Sequence, residues 1–264
     1  MEKKEFNKLD LGVLQSRIFP NNLNKFNEFP SNWEKEFEIL SEINLDFIEL
    51  LYDGEGKIKV HLSKDRLNKT LNNSKNIHIY SANFDVLRFY DFNENFAFFL
   101  KELNYLYDLG VRLVVLPFID RSDYNKNEIF MALKSLNMKF KKDMKFSIES
   151  EKINFVNLIE IVKRLPSNFA ICYDTGNYLS QRRDIFSDFQ TYKDHISHIH
   201  LKAKKIDKNK KLINCYFDQN KYDLKKYLDF LVEHNYKHKV VLESYYSKNG
   251  YSDLVYNLKC IERL

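Results

Sequence analysis

The sequence contains few of the residues that mark disulfide-stabilised proteins and glycine-rich phosphate sites. Among its 264 residues are 3 Cys, 6 Gly and 4 Pro. The cysteines, Cys172, Cys215 and Cys260, are far apart and form no CxxC pair. An odd number of isolated thiols is typical of a reducing compartment and argues against a disulfide framework.

Long apolar segments are absent as well. No run of about eighteen apolar residues is present that could span a membrane, and residues 1–8 lack the apolar core of a signal peptide. We therefore expect a soluble, cytoplasmic protein that does not bind membranes.

A strong excess of one charge is also missing. The net charge is +5, from 42 basic and 37 acidic residues. Most of these side chains should be solvated on helix faces. Nucleic acid is therefore not an expected partner, while self-association into a homo-oligomer stays open.

What the sequence does contain is a regular alternation of strand and helix patterns. Eight apolar segments are predicted to be strands: residues 9–19, 45–51, 76–82, 111–117, 145–149, 169–174, 196–201 and 238–243. Amphipathic stripes separate them, as in Phe96–Leu106, after which Gly110 is expected to cap a helix. Turns are expected at residues 20–22 and 53–56.

This alternation predicts the fold. Strict alternation indicates a parallel sheet, and eight repeats indicate a closed barrel. A doubly wound open sheet fits less well, because no glycine-rich phosphate loop follows the first strand. The predicted class is α/β, with one (β/α)8 TIM barrel forming a single domain over residues 1–264.

Two local patterns add detail. Ser31 and Glu34 have the spacing of a capping box at the start of the first helix. Lys202–Lys211 is rich in lysine and is predicted to be a solvated loop.

Acidic and histidine residues end four of the predicted strands. They are Glu149, Asp174, His200 and Glu243. Active groups of a TIM barrel lie at these strand ends, and three carboxylates with one imidazole suit Mn²⁺, Mg²⁺, Co²⁺ or Zn²⁺ better than a structural zinc site. Taken alone, an acidic residue at a strand end is more often a helix cap or a solvated group, and a strand histidine is more often a hydrogen-bonded core residue. The arrangement on four successive strands favours a metal site, and both interpretations stay open. His198 and His200 are expected to point to opposite faces of their strand, so that at most one of them enters the barrel mouth.

Several segments resemble the xylose isomerase-like TIM-barrel superfamily, and within it the sugar phosphate isomerase/epimerase group. Leu11–Ile18 resembles the group's opening Gly-Val-Met-Gln-Gly-Arg-Leu. Trp33–Ile39 with Phe47–Glu49 resembles its first helix and second strand. Tyr173–Asn177 resembles its Tyr-Asp-Thr-Gly-Asn turn, and Ile199–Lys202 its Val-His-Ile-Lys strand.

The resemblance implies a function. Glu149, Asp174, His200 and Glu243 would hold one divalent metal ion, and the two glutamates would move protons on a small-molecule carbohydrate. The implied activity is isomerisation or epimerisation of a sugar, sugar phosphate or modified keto-sugar through an enediolate, with dehydration as a variant.

The chain also departs from the family pattern. Lys202-Ala-Lys204 replaces the family's Lys-Asp-Arg, and Asn177 stands where many relatives have His. Lys202 and Lys204 are expected to replace the missing arginine as point charges, without its bidentate geometry. The complete set of expected substrate contacts is Gln15, Arg17, His78, Asn177, Lys202 and Lys204.

Two other functions remain open on these residues. Endonuclease IV-like nucleases share the superfamily but hold three zinc ions, which requires more histidine and acidic ligands. A non-catalytic sugar-binding barrel is the second alternative, because the family's arginine is missing.

Overall fold

Eight parallel strands pair in sequence and close into a barrel in the computed structural model. The structure describes residues 9–19, 29–43, 45–52, 63–74, 77–88, 94–118, 126–140, 143–149, 153–243 and 249–262. The barrel strands are β1 Leu11–Leu14, β2 Phe47–Tyr52, β3 His78–Phe84, β4 Leu113–Pro117, β5 Lys145–Glu149, β6 Phe169–Asp174, β7 Ile196–Leu201 and β10 Lys239–Leu242. Closure is by parallel pairing of β10 with both β7 and β1.

Helices follow the strands around the outside of the barrel. In the described part of the chain they are α1 Trp33–Glu42, α2 Lys64–Asn73, α3 Phe96–Asp108, α4 Lys126–Lys139, α5 Phe155–Val162, α6 Thr175–Ser180, α7 Ile185–Tyr192, α8 Leu224–Glu233 and α9 Gly250–Glu262. Gly110 follows α3 with φ of 101°, which confirms the predicted left-handed cap. None of the described helices is long and apolar enough to cross a membrane.

The predicted α/β class and TIM-barrel architecture are confirmed. Every residue of β2 and β4 is buried, as expected for parallel strands covered on both faces. The single-domain assignment over residues 1–264 stays a prediction, and the turns predicted at residues 20–22 and 53–56 lie outside the described residues.

The capping-box prediction is wrong. The N-cap of α1 is Asn32, whose side chain makes no capping hydrogen bond. The Glu34 carboxylate instead accepts hydrogen bonds from Nε and Nη2 of Arg66, at 2.7 and 3.0 Å. Because the N-cap is Asn32 and not Ser31, Glu34 lies one position too early in the helix for the reciprocal contact of a capping box.

The lysine-rich segment is not the simple loop that we predicted. It contains an antiparallel hairpin, β8 Lys204–Ile206 paired with β9 Leu212–Asn214. The sequence did not indicate this hairpin, because each strand has only three residues and so gives no recognisable alternation of apolar and polar residues.

Inside the barrel, side chains fill the space beneath the carboxyl ends of the strands. Leu14, Phe47 and Val241 form one small buried cluster, with Tyr80 packed against it. Leu113, Val115 and Cys172 form a second cluster on the other side of Tyr80. The interior of the barrel is thus a packed core among the described residues, and active groups of such barrels lie at the mouth.

Gly12 in β1 should be intolerant of a side chain. A Cβ atom at this position would clash with the ring of Phe47 on the neighbouring strand. We expect Gly12→Ala to lower the free energy of unfolding by about 1–3 kcal/mol, measured by denaturant titration. Adding Phe47→Leu should make the total loss smaller than the sum of the two single losses, and strict additivity would contradict the proposed clash.

Candidate metal centre

Four side chains meet at the carboxyl end of the barrel. Glu149 and Asp174 end β5 and β6, His200 is the penultimate residue of β7, and Glu243 directly follows β10. One donor atom of each residue lies within 4.8 Å of the donor atoms of the other three. All four residues are buried. The structure therefore brings together the four residues that the sequence singled out.

Asp174 has two roles at once. Its Oδ1 accepts a hydrogen bond of 2.7 Å from the backbone N–H of Asn177 and so caps α6. Its Oδ2 makes no hydrogen bond and belongs to the cluster. The helix-cap interpretation and the ligand interpretation are thus compatible, because a carboxylate has two oxygens.

Each member of the cluster keeps one buried atom without a hydrogen bond. These atoms are Glu149 Oε2, Asp174 Oδ2, His200 Nδ1 and Glu243 Oε2. Contacts of 3.1 and 3.5 Å join His200 Nδ1 to Glu243 and Glu149 without hydrogen-bond geometry. Buried polar atoms that make no hydrogen bond are rare and costly. Three carboxylate oxygens and one imidazole nitrogen converging in this way fit a divalent cation.

Two cationic side chains border the cluster. Lys202 Nζ lies 2.7 Å from Asp174 Oδ2 and 3.1 Å from Glu243 Oε1. Arg17 Nη2 donates to the same Glu243 oxygen at 3.1 Å. The guanidinium of Arg17 is buried and the Lys202 side chain is 11% exposed, so both charges act on the cluster with little screening by water.

Arg17 is held by an unusual loop. Ser16 has φ of 72°, which a residue other than glycine seldom adopts. The buried carboxylate of Glu36 in α1 accepts hydrogen bonds from the backbone N–H groups of Ser16 at 3.0 Å and Phe19 at 3.3 Å. The start of α9 packs so closely on this loop that a Cβ atom at Gly250 would clash with the carbonyl of Arg17.

The electrostatic environments of Glu149 and Glu243 shift their pKa values in opposite directions. Burial alone would raise the pKa of Glu243, but Lys202 and His200 hold that pKa well below its ordinary value. Burial raises the pKa of Glu149, and the carboxylates of Asp174 and Glu243 raise it further. The metal-free site therefore favours an ionised Glu243 and a protonated Glu149.

Of the other predicted contacts, Arg17, Asn177 and Lys202 contact the cluster directly. Asn177 Nδ2 donates to Glu149 Oε1 at 3.0 Å. Gln15 is buried beside β2, where its Oε1 accepts from the backbone N–H of Leu51 at 3.2 Å. Lys204 begins β8, and its side chain reaches the space beside Gly176, as that of Lys202 does.

His78 was predicted to contact substrate, and the structure separates it from the site. It is the first residue of β3, at the amino end of the barrel, with its ring centroid 6.3 Å from that of Phe47. The sequence placed His78 in the correct strand but could not tell which end of the strand it occupied.

The expectation that His198 and His200 point to opposite faces of their strand is wrong. Residues two apart on a strand share one face, and both imidazoles turn into the barrel toward Glu49 of β2. Glu49 is a residue that our list of site residues missed. The signal was present, since Glu49 is the only charged residue in the strand Phe47–Tyr52, which is buried throughout.

Comparison with known protein families gives an independent result. A family model described as a xylose isomerase-like TIM barrel matches residues 37–263. No curated protein matches the chain in sequence.

Solved structures share the fold at low sequence identity. One is the IOLI protein with a bound zinc atom, with a TM-score of 0.70 and 16% identity over 97% of this chain and 99% of that one. Another is 3-keto-D-glucoside 4-epimerase from E. coli, with a TM-score of 0.66 and 16% identity over 96% and 100% of the two chains. A third is a xylose isomerase-like TIM barrel/4-hydroxyphenylpyruvate dioxygenase fusion protein, with a TM-score of 0.72 and 13% identity over 96% of this chain. The chain spans 42% of the length of that fusion protein.

Metal binding at this centre should release protons. Burial raises the pKa of Glu149. Burial lowers the pKa of His200, but the adjacent Glu49 carboxylate outweighs this and helps to hold that pKa well above its ordinary value. A ligand must lose its proton to bind a metal, so affinity should increase as the pH rises through these pKa values. Calorimetric titration with Mn²⁺ should give tighter binding at about pH 8 than at about pH 6, with a heat that depends on the ionisation enthalpy of the buffer.

The control for this measurement is Asp174→Asn, which removes a charged ligand and should abolish most of the binding. Affinity and heat that are independent of pH and buffer would contradict the expected displacement of protons.

Proposed function

The chain belongs to the xylose isomerase-like TIM-barrel family, and on that premise we propose that it is a divalent-metal-dependent isomerase or epimerase. The substrate class is a sugar, sugar phosphate or modified keto-sugar. The observation that carries the proposal is the convergence of four donor atoms, one each from Glu149, Asp174, His200 and Glu243, within 4.8 Å of one another. The zinc-bound relative and the sugar epimerase of the same fold add support.

The same four residues would hold the cation, and their donor set suits Mn²⁺, Mg²⁺, Co²⁺ or Zn²⁺. When bound, a divalent cation in this position polarises a substrate carbonyl and stabilises negative charge on its oxygen. Glu243 and Glu149 then act on the carbon next to that carbonyl.

The different electrostatic environments of the two glutamates suit them to opposite tasks. Lys202 and His200 favour the ionised form of Glu243 by holding its pKa low, so Glu243 is the better candidate to accept a proton from the carbon alpha to the carbonyl. Burial raises the pKa of Glu149 in the metal-free site, so of the two glutamates Glu149 is the one that more readily takes up a proton and returns it to the substrate. Two carboxyl groups with pKa values pushed apart are the arrangement that general acid–base catalysis needs.

The position to which the proton returns decides the product. Transfer of a proton from C–H to Glu243 leaves an enediolate, and a proton from Glu149 then completes the product. Delivery to the opposite face of the same carbon gives an epimer, while delivery to the neighbouring carbon converts a ketose into an aldose. Asn177, which donates to Glu149 Oε1 at 3.0 Å, orients this carboxyl group.

A three-metal nuclease is less well supported. In the described part of the chain, only two groups of ligand-type side chains are close enough to hold a metal. The second, Cys172 with His198 and His200, is fully buried inside the barrel and shares His200 with the first. Three separate zinc ions would need further ligands at the mouth.

The decisive measurement is proton exchange in heavy water. Incubated with Mn²⁺ and a panel of ketoses, keto-sugars and their phosphates, the protein should exchange the alpha C–H of at least one compound for deuterium, followed by NMR. Glu149→Gln and Glu243→Gln should each slow this exchange by about 10²- to 10⁴-fold. Glu102→Gln, which alters a buried glutamate of α3 bonded to Tyr52, is the matched control. Full exchange in both active-site variants would contradict the mechanism.

Lys202 should have opposite effects on the metal and the substrate. Its ammonium lies 2.7 Å from Asp174 Oδ2, an oxygen that a metal would use. Removing this charge should raise Mn²⁺ affinity by about fivefold to tenfold, because one nearby positive charge is lost. Lys202→Met should at the same time raise KM for an oxygen-rich substrate.

Lys204→Met provides the control. Lys204 is close to Lys202, but Lys202 is the lysine that pairs with Asp174 and Glu243. It should leave Mn²⁺ affinity unchanged. A loss of metal affinity in Lys202→Met would instead make Lys202 a supporting contact of the site, contrary to this expectation.

A further inference from the structure

A buried carboxylate lies behind the metal centre, and the proposed mechanism does not use it. Glu49 of β2 is fully buried, as are Ser81, His198 and His200 around it. Its Oε1 lies 2.9 Å from His200 Nε2, and its Oε2 lies 2.7 Å from His198 Nε2. Ser81 Oγ donates to Oε2 at 2.5 Å.

Burial of the Glu49 carboxylate costs free energy of hydration. An isolated buried carboxylate loses several kcal/mol of hydration, which only close partners can offset. The other residues of β2 are Phe, Ile, Leu and Tyr, so an apolar side chain would suit the strand. Two imidazoles and a hydroxyl stabilise the carboxylate, and together they form a compact buried polar network.

The contact with His200 fixes which nitrogen of that ring faces the metal centre. An ionised carboxylate only accepts hydrogen bonds, so the ring nitrogen facing Glu49 must carry a proton. That nitrogen is Nε2. Nδ1 is then directed at the opposite side, where it lies 3.1 Å from Glu243 Oε2 and makes no hydrogen bond.

The two carboxylate oxygens of Glu49 have different partners. Oε2 is held by Ser81 and His198, whose ring stacks on Tyr80 with an interplanar angle of 8°. In the described part of the chain, the contact of Oε1 is with His200 Nε2. The carboxylate is therefore anchored on one side and presents a fixed acceptor on the other.

We propose that Glu49 is a positioning residue of the metal centre, which orients His200 so that Nδ1 is the ligand atom. Glu49 touches neither metal nor substrate and acts only through the imidazole. The inference rests on the proposed function in one respect, since it assigns His200 as a metal ligand. Ligating histidines commonly depend on such a carboxylate behind them, and its loss typically weakens metal binding about 10- to 100-fold.

The first test uses the metal-free protein with isotope-labelled histidine. NMR should detect a His200 ring proton on Nε2 that exchanges slowly with water, assigned by its absence in His200→Gln. In Glu49→Leu this protection should disappear, while in Glu102→Gln it should persist. A His200 ring proton whose exchange is the same in wild type and Glu49→Leu would overturn the proposal.

The second test measures zinc affinity by competition with a chelator. Glu49→Leu should bind zinc about 10- to 100-fold more weakly than wild type, with Glu102→Gln unchanged. Glu49→Gln keeps one acceptor oxygen without the charge, so its loss should be smaller, about threefold to tenfold. If Glu49→Leu does not fold, Glu49→Gln decides, and wild-type affinity in a folded Glu49 variant would overturn the proposal.

The two measurements separate this inference from the function on which it rests. Wild-type protein that binds no zinc, Mn²⁺ or Mg²⁺ would refute the metal-dependent function, and the protected Nε2 proton would still report on the Glu49–His200 contact. Metal binding that is indifferent to Glu49 would leave the proposed function intact and refute the positioning role.

Discussion

Repulsion among three buried carboxylates is the constraint on which the rest of the site depends. Glu149, Asp174 and Glu243 bring donor atoms within 4.8 Å of one another, with His200 between them. In a buried environment such a cluster is unfavourable unless positive charge compensates it. Lys202 and Arg17 supply part of this charge from the edge, and a divalent cation would supply the rest. In the absence of a metal, burial and then the same repulsion raise the pKa of Glu149.

The surrounding structure can be understood as support for this cluster. Backbone N–H groups of the loop after β1 bind the buried Glu36 carboxylate, and that loop carries Arg17 to Glu243. The cap of α6 uses one oxygen of Asp174 and so fixes the direction of the other. On the inner side, Glu49 contacts the two histidines of β7. These supporting groups are buried and hydrogen-bonded, as the preorganisation of a binding site requires.

A large part of this arrangement could be predicted from the chain alone. Period-two and period-3.6 patterns located eight strands and their helices, and the closing of eight parallel strands puts all carboxyl ends at one rim. Acidic residues and histidine at those ends therefore had to lie near one another. The same local reasoning failed at the start of α1. There the N-cap is Asn32, and Glu34 binds Arg66, which is 32 residues away in sequence and so lies outside any local pattern.

Sequence by itself determined the barrel and the identity of the four converging residues. Both follow from the periodicity of each segment and from the succession of strands and helices along the chain. Tertiary structure decided everything that depends on direction and distance between strands. It placed His78 at the wrong end for the site, turned His198 and His200 to the same inner face, and set Glu49 behind His200 at 2.9 Å. It also put Lys202 2.7 Å from Asp174 and so determined which carboxylates are compensated. These outcomes follow from closure of the barrel, which brings β2 and β7 face to face although 151 residues separate Glu49 from His200.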